Sequence, residues 1–229
     1  MSSRQGHEVY FRLELFKFFE DLGRHNERDW FLANKDRYET FVRQPLLAFV
    51  TALGSKLRRI SSHFGGGKVM RINRDIRFSA DKTPYRTHAG VMFGHSDGGE
   101  GPSPGFYLHF APEEVFVGSG LWTPDTATQN RIRNAIVKHP DAWEKASRPR
   151  KGFPGLASMH DGETLKRPPR GFDPNHKFVD DLRRKHFIAT VRFHPRDAIK
   201  PQFLDSVAKS CEAAGPLVKF LVGAVGLKW

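Results

Sequence analysis

Hydrophobic periodicity changes twice along this chain, and those two changes do most to restrict its fold. Up to residue 60 the apolar residues recur at helical spacing. Leu15, Phe18, Phe19 and Leu22 form one stripe, closed by Gly23. Trp30, Phe31, Tyr38, Phe41 and Val42 predict a second helix over about Asp29–Arg43. Pro45 then opens a third, with Leu46, Phe49, Val50, Leu53, Leu57 and Ile60 on one face. Gly65-Gly-Gly67 ends this part. Alternation takes over, predicting strands at 68–78, 88–94, 106–111 and 114–118, the last two joined by a hairpin through Pro112-Glu113. Thr123-Pro124-Asp125 restores the helical period, leading into Ile132, Ile136 and Val137. His139-Pro140 breaks that helix, and a short one carries Trp143. Residues 148–176 are rich in Gly, Pro and Arg and read as a long loop. A helix near 178–186, a strand near 187–193 and two closing helices follow. Helices, then a meander, then helices predict an α+β fold. The expected layout is a single domain over 8–229, with N-terminal helices, a central mainly antiparallel sheet and C-terminal helices, and with residues 1–7 as a flexible N-terminus.

From the first predicted strand onward, Arg71-Ile-Asn-Arg-Asp-Ile-Arg-Phe-Ser-Ala-Asp-Lys-Thr-Pro-Tyr-Arg86 carries a density of charge that a surface strand does not need. Alternation puts Met70, Ile72, Ile76 and Phe78 on one face and Arg71, Asn73, Asp75 and Arg77 on the other. Arg74 breaks the pattern by falling among the apolar residues. Pro84 and Asp81 predict a loop after Ser79, on which Asp81, Lys82, Tyr85 and Arg86 are displayed. Two readings stand: an anion- or substrate-binding site, or an ion-pair network tying a sheet to its helices.

The pattern Arg71-x-x-Arg74-Asp75-x-Arg77-Phe78-x-x-Asp81-Lys82-x-x-Tyr85 resembles the signature of domain of unknown function 2461, a group of conserved, uncharacterised bacterial and fungal proteins. Asn26-Glu-Arg-Asp-Trp-Phe31 with Asn34 and Tyr38, Gly118-Ser-Gly-Leu-Trp122, Leu165-Lys-Arg-Pro-Pro-Arg-Gly171 and Pro216-Leu217 with Phe220-Leu221 extend the resemblance along nearly the whole chain. Asn26 is followed by Glu27 where a second asparagine is expected, which weakens a specific role for that pair. The family brings no established activity, so the resemblance sharpens the fold and the site and leaves the chemistry open.

Composition limits the function classes. A chain of 229 residues, 38% hydrophobic, buries a real core, and its single cysteine, Cys211, excludes an internal disulfide framework. Cys211 falls on the apolar stripe of a closing helix and reads as a packing residue. The polar first residues and the lack of a run of about eighteen apolar residues argue against export and membrane spanning, and predict a cytoplasmic protein with no membrane partner. The eleven histidines form neither His-x-His nor His-Glu-x-x-His, and no metal or cofactor is expected. Ser79-x-x-Lys82 matches a nucleophile motif, but so does Ser206-x-x-Lys209 inside a helix, and no Lys-Thr-Gly accompanies either.

The net charge of +12 is unevenly spread, since residues 148–200 hold 13 Lys/Arg against 6 Asp/Glu. Such a field attracts polyanions, but no helix-turn-helix, zinc-finger or RNA-recognition signature accompanies it, so any nucleic-acid binding is expected to be weak. The leading expectation is an anionic small-molecule ligand, carrying phosphate or carboxylate. Arg71, Arg74, Arg77, Lys82, Tyr85 and Arg86 would hold it, with Lys166, Arg167 and Arg170 on the Pro-Pro loop folding over them to close one pocket. The alternatives are an enzyme drawing its catalytic groups from Asp75, Asp81, Lys82 and Tyr85, with an aspartate as general base, a weakly nucleic-acid-associated protein, or a purely structural motif.

Overall fold

The structure, a computed structural model, describes residues 8–99, 101–156 and 164–229. The expected flexible N-terminus, residues 1–7, lies outside the described residues, as does 157–163 of the predicted long loop. Helix α1 is Leu13–Arg24, α2 Arg28–Ala33 and α3 Lys35–Tyr38, which runs through a π-helical turn, Glu39–Arg43, into α4, Gln44–Leu57. Pro45 therefore does not open a separate helix. Its missing N–H falls just after the widened turn, and the helical path continues through it.

The sheet is β1 (Lys68–Val69), β2 (Ala89–Gly94), β3 (Gly105–Phe110), β4 (Val115–Leu121) and, after the helices α5 (Thr126–Lys138), α6 (Pro140–Ser147) and α7 (Val179–Leu182), β5 (Phe187–Phe193). The strands pair in the order β1-β2-β3-β4-β5, every pair antiparallel, and α8 (Pro195–Ala198) and α9 (Phe203–Ala224) complete the chain. This is the α+β layout that the two changes of period predict. Other boundaries differ as well. The helix expected near 178–186 is the single turn α7. The two closing helices are one, α9, with Pro216 inside it. Helix α5 is capped by Asp125, which accepts from the Thr128 amide at 2.6 Å.

Alternation sorts the sheet into two faces. Val91, Phe93, Phe106, Leu108, Phe110, Val117, Leu121, Phe187 and Ala189 are buried against the helices. There Phe11, Phe49, Phe110 and Phe203 meet ring to ring and join the N-terminal segment, α4, β3 and α9 in one core. The opposite, outer face carries Gly90 and Met92, Tyr107 and His109, Phe116 and Gly118, Thr190 and Arg192, in cross-strand register. It is much less covered, with Met92 40% exposed. Among the described residues no helix is long and apolar enough to cross a membrane.

Candidate functional site

The arginine-rich segment is not a strand. Only Lys68 and Val69 pair with β2, and the rest is a loop, closed at its neck by the Asn73–Tyr85 bridge and by Arg74 N–H to the Pro84 carbonyl (2.9 Å) and Arg86 N–H to the Ile72 carbonyl (2.8 Å). The expected apolar face does not form either, since Phe78 is 96% exposed. Two local forces override the alternation. Arg74 bends inward and gathers Asp81, the Thr83 hydroxyl and carbonyl, and Ser79, which rounds the chain. Outside the loop, Asn26 pairs with both backbone groups of Tyr85, its amide donating to the carbonyl at 2.9 Å and its oxygen accepting the N–H at 3.0 Å. Asn26 thus takes the place of a neighbouring strand, in the pair whose altered sequence left its role in doubt.

Most of the predicted site is spent on the loop itself. Arg77 grips Asp75 through Nε and Nη2 (2.9 and 2.7 Å), and Lys82 Nζ donates to the Ile76 carbonyl at 3.1 Å. Tyr85 is buried, its ring stacked on Phe31 with centroids 4.3 Å apart, so it anchors the loop to the core. Asp75 is held below the usual carboxylate range by Arg77, and Asp81 is held down to about 2 by the Thr83 amide and hydroxyl and by Arg74. A general base near neutral pH needs the opposite shift, so these two carboxylates suit orientation and not proton abstraction. Arg71 is exposed and makes no hydrogen bond among the described residues.

The pocket shared with the Pro-Pro loop does not form. Thr164 bridges Arg184, and the Leu165 amide donates to the Arg183 carbonyl at 2.8 Å, which fixes that loop beside the start of β5. The 71–86 loop leaves β1 at the other edge, four strand spacings or about 19 Å away, and at the other end of the sheet. Lys166, Arg167 and Arg170 are exposed at that far corner. Much of the basic region is also internally employed. Arg150 donates to the Ala213 carbonyl, Arg183 to the Leu165 carbonyl and Arg184 to Asp181, which brace the long loop against α9 and α7.

One predicted residue has a different surrounding. Arg86 leaves the neck of the loop towards the outer face of the sheet, beside His88 and Tyr107, and its Nε is buried with no hydrogen-bond partner. No other hydrogen bond or ion pair of its guanidinium is found among the described residues. His88 stacks on His109 with centroids 4.5 Å apart, and His109 in turn lies flat on Phe116 at 4.7 Å and 8°. The Tyr107 hydroxyl is 3.2 Å from His109 Nδ1, and His109 Nε2 is 4.0 Å from Glu114, which is tied to Arg192 at 2.7 Å. Gly90 makes room for this arrangement, because a Cβ there would come within 2.8 Å of both Met70 Sδ and Tyr107 Oη. Burial pushes His88 down to about 4, aided by His109 and Arg86, and lowers His109 as well, while it raises Tyr107 to about 12. At neutral pH the cluster is therefore an unpaired guanidinium among two neutral imidazoles and a neutral phenol. A second buried polar atom without a partner, Thr190 Oγ1, lies on the same face in the row Tyr107–Gly118–Thr190.

Residues 14–220 of the chain match the model of a family described as conserved hypothetical protein (DUF2461). The chain belongs to the DUF2461 family. No curated protein and no solved structure matches it. The arginine-rich segment therefore has two physical parts in this chain. Arg74, Asp75, Arg77, Asp81, Lys82 and Tyr85 build the loop, and the residues just after it, Arg86 and His88, face the open sheet.

Two other groupings of polar residues among the described residues do not form comparable sites. His63, His95 and Asp97 bring ligand atoms within 4.8 Å of one another. His95, however, donates through Nε2 to the Lys228 carbonyl (2.6 Å) and accepts the Asp97 amide on Nδ1 (3.1 Å), which leaves it no lone pair for a metal. A cleft of about 630 Å³ between α4 and α9, lined by Lys56, Arg59, Asp205, Lys209, Lys219 and Trp229, shares no residue with the signature, and its Lys56 is paired with Asp205 at 2.8 Å.

Proposed function

We propose that this DUF2461 protein binds a small anionic ligand, carrying carboxylate or phosphate, on the outer face of its sheet. Arg86 would be the charged anchor, with His88 and Tyr107 beside it. The observation that carries this reading is the unpartnered Arg86 guanidinium, whose buried Nε hydrogen-bonds nothing. A buried, unsatisfied donor on a cation costs about 1–3 kcal/mol or more, and an anion that accepts from it recovers that cost. Glu114, the carboxylate of this face, is already held by Arg192, so the neighbourhood keeps its positive excess.

Sulfate and phosphate titrated at low chloride should raise the melting temperature by mass action, with about 2.7 kcal/mol of stabilisation at one hundred times the dissociation constant. Arg86→Gln should remove the response, whereas Arg77→Gln and Arg170→Gln should keep it, because one is tied to Asp75 and the other stands at the far corner of the sheet. An undiminished response in folded Arg86→Gln would refute the assignment. Loss of the response in Arg77→Gln alone would move the site back to the loop.

A further inference from the structure

The proposed anion site holds a second group without a partner, His88, which lies close enough to Arg86 to feel its charge. His88 is half-buried, and its ring nitrogens hydrogen-bond nothing among the described residues, although the ring is fixed against His109. Imidazoles at open protein surfaces meet water and titrate near 6.5. This one is kept neutral by its surroundings, since burial, His109 on β3 and the Arg86 guanidinium all oppose its positive form, and Glu114 in the β3–β4 turn alone favours it. Arg192 on β5 weakens even that help by engaging Glu114.

We infer that the site takes up its anion together with a proton, and that the proton is bound by His88. This rests on the anion reading of Arg86 given above. An anion seated on Arg86 cancels the repulsion that Arg86 exerts on His88 and adds an attraction of its own, so the imidazolium becomes the favoured form once the ligand is bound. The incoming proton forms an N–H bond on a ring nitrogen whose lone pair is otherwise free, and that N–H can donate to the ligand. No other bond changes. His109 is the poorer acceptor, because its Nδ1 already meets the Tyr107 hydroxyl and its ring lies between His88 and Phe116. The ligands favoured are therefore those presenting two negative charges or a charge with a second acceptor atom, so that one site can satisfy both Arg86 and His88.

Linkage fixes the sign. Affinity is independent of pH while His88 stays neutral in both states, and rises as pH falls through the ligand-bound pKa. It levels off again once His88 is protonated in the empty protein as well, near its unliganded value of about 4. Between those limits the affinity improves by up to about tenfold per pH unit.

Sulfate is the decisive probe, because it keeps both charges over the whole range and cannot carry the proton itself. Calorimetric titration of the full chain, in two buffers of different ionisation heat, should show proton uptake approaching about one per sulfate near pH 5 and falling towards zero near pH 8. His88→Gln should still bind sulfate but with little uptake and a flat pH dependence, and His109→Gln should retain the uptake. Sulfate binding with no proton uptake, or uptake that survives in His88→Gln and disappears in His109→Gln, overturns the inference and leaves the anion site standing. Failure of sulfate to bind the parent protein at all overturns the anion reading itself and this inference with it.

Discussion

Asn26 shows how much one side chain can decide. Its amide and carbonyl satisfy both backbone groups of Tyr85, fifty-nine residues away in the chain, and Tyr85 then lies flat on Phe31. Removing that side chain strands an N–H and a C=O beneath a buried ring, each worth about 1–3 kcal/mol when unsatisfied. We expect Asn26→Ala to lower stability by about 2–4 kcal/mol in urea denaturation and to weaken sulfate binding, since the neck that aims Arg86 would loosen. A variant as stable as the parent would make the contact incidental. Asn26→Asp keeps the acceptor but sets a carboxylate against the Tyr85 carbonyl, and should be no better than alanine. The sequence holds Asn26 in plain view, yet no local pattern tells that its partner is a tyrosine in another element. Asp75 and Asp81 were misleading for the opposite reason. Aspartates beside arginines read as chemistry, while here they are acceptors that keep a loop round.

At the level of elements, alternation located four of the five strands closely, the edge strand Phe187–Phe193 included, and failed at the first. Residues 106–111 and 114–118 stand close to β3 and β4, Gly105–Phe110 and Val115–Leu121. The run 68–78 keeps only two strand residues, because Arg74 finds better acceptors within the loop. The outer-face site was legible in part. Tyr107-x-His109 puts two of its residues on one side of a strand, whereas the bend at Thr87 and His88 hides Arg86 and His88 from alternation. Two glycines test the sheet in different ways. At Gly120, with φ near +133°, a Cβ would sit 2.0 Å from the Phe187 carbonyl oxygen, a backbone atom that cannot yield. Gly120→Ala should cost more than about 3 kcal/mol or fail to fold. At Gly90 the obstacles are the ends of the Met70 and Tyr107 side chains, which can swing away. Gly90→Ala should fold at a cost of about 1–3 kcal/mol and lose its sulfate response, because the Tyr107 hydroxyl is displaced from His109. Equal stability losses in the two variants would count against this view of the outer face.

Across the whole molecule, helices occupy one side of the sheet, and the unpaired polar groups of the candidate site lie on the other. Cys211 marks the helical side, fully buried in α9 with its thiol pushed far up by burial. It should react with a thiol reagent only as fast as the core opens, with protection that falls in parallel with global stability in urea. Rapid labelling of the native protein would mean that α9 separates from the sheet on its own. The two sides are nevertheless joined at one point. Tyr85 and Arg86 are covalent neighbours that point in opposite directions, one into the helical core against Phe31 and Asn26, the other towards the open face. A ligand held on the proposed site would therefore pull on the same peptide that Asn26, in the turn between α1 and α2, holds from the other side.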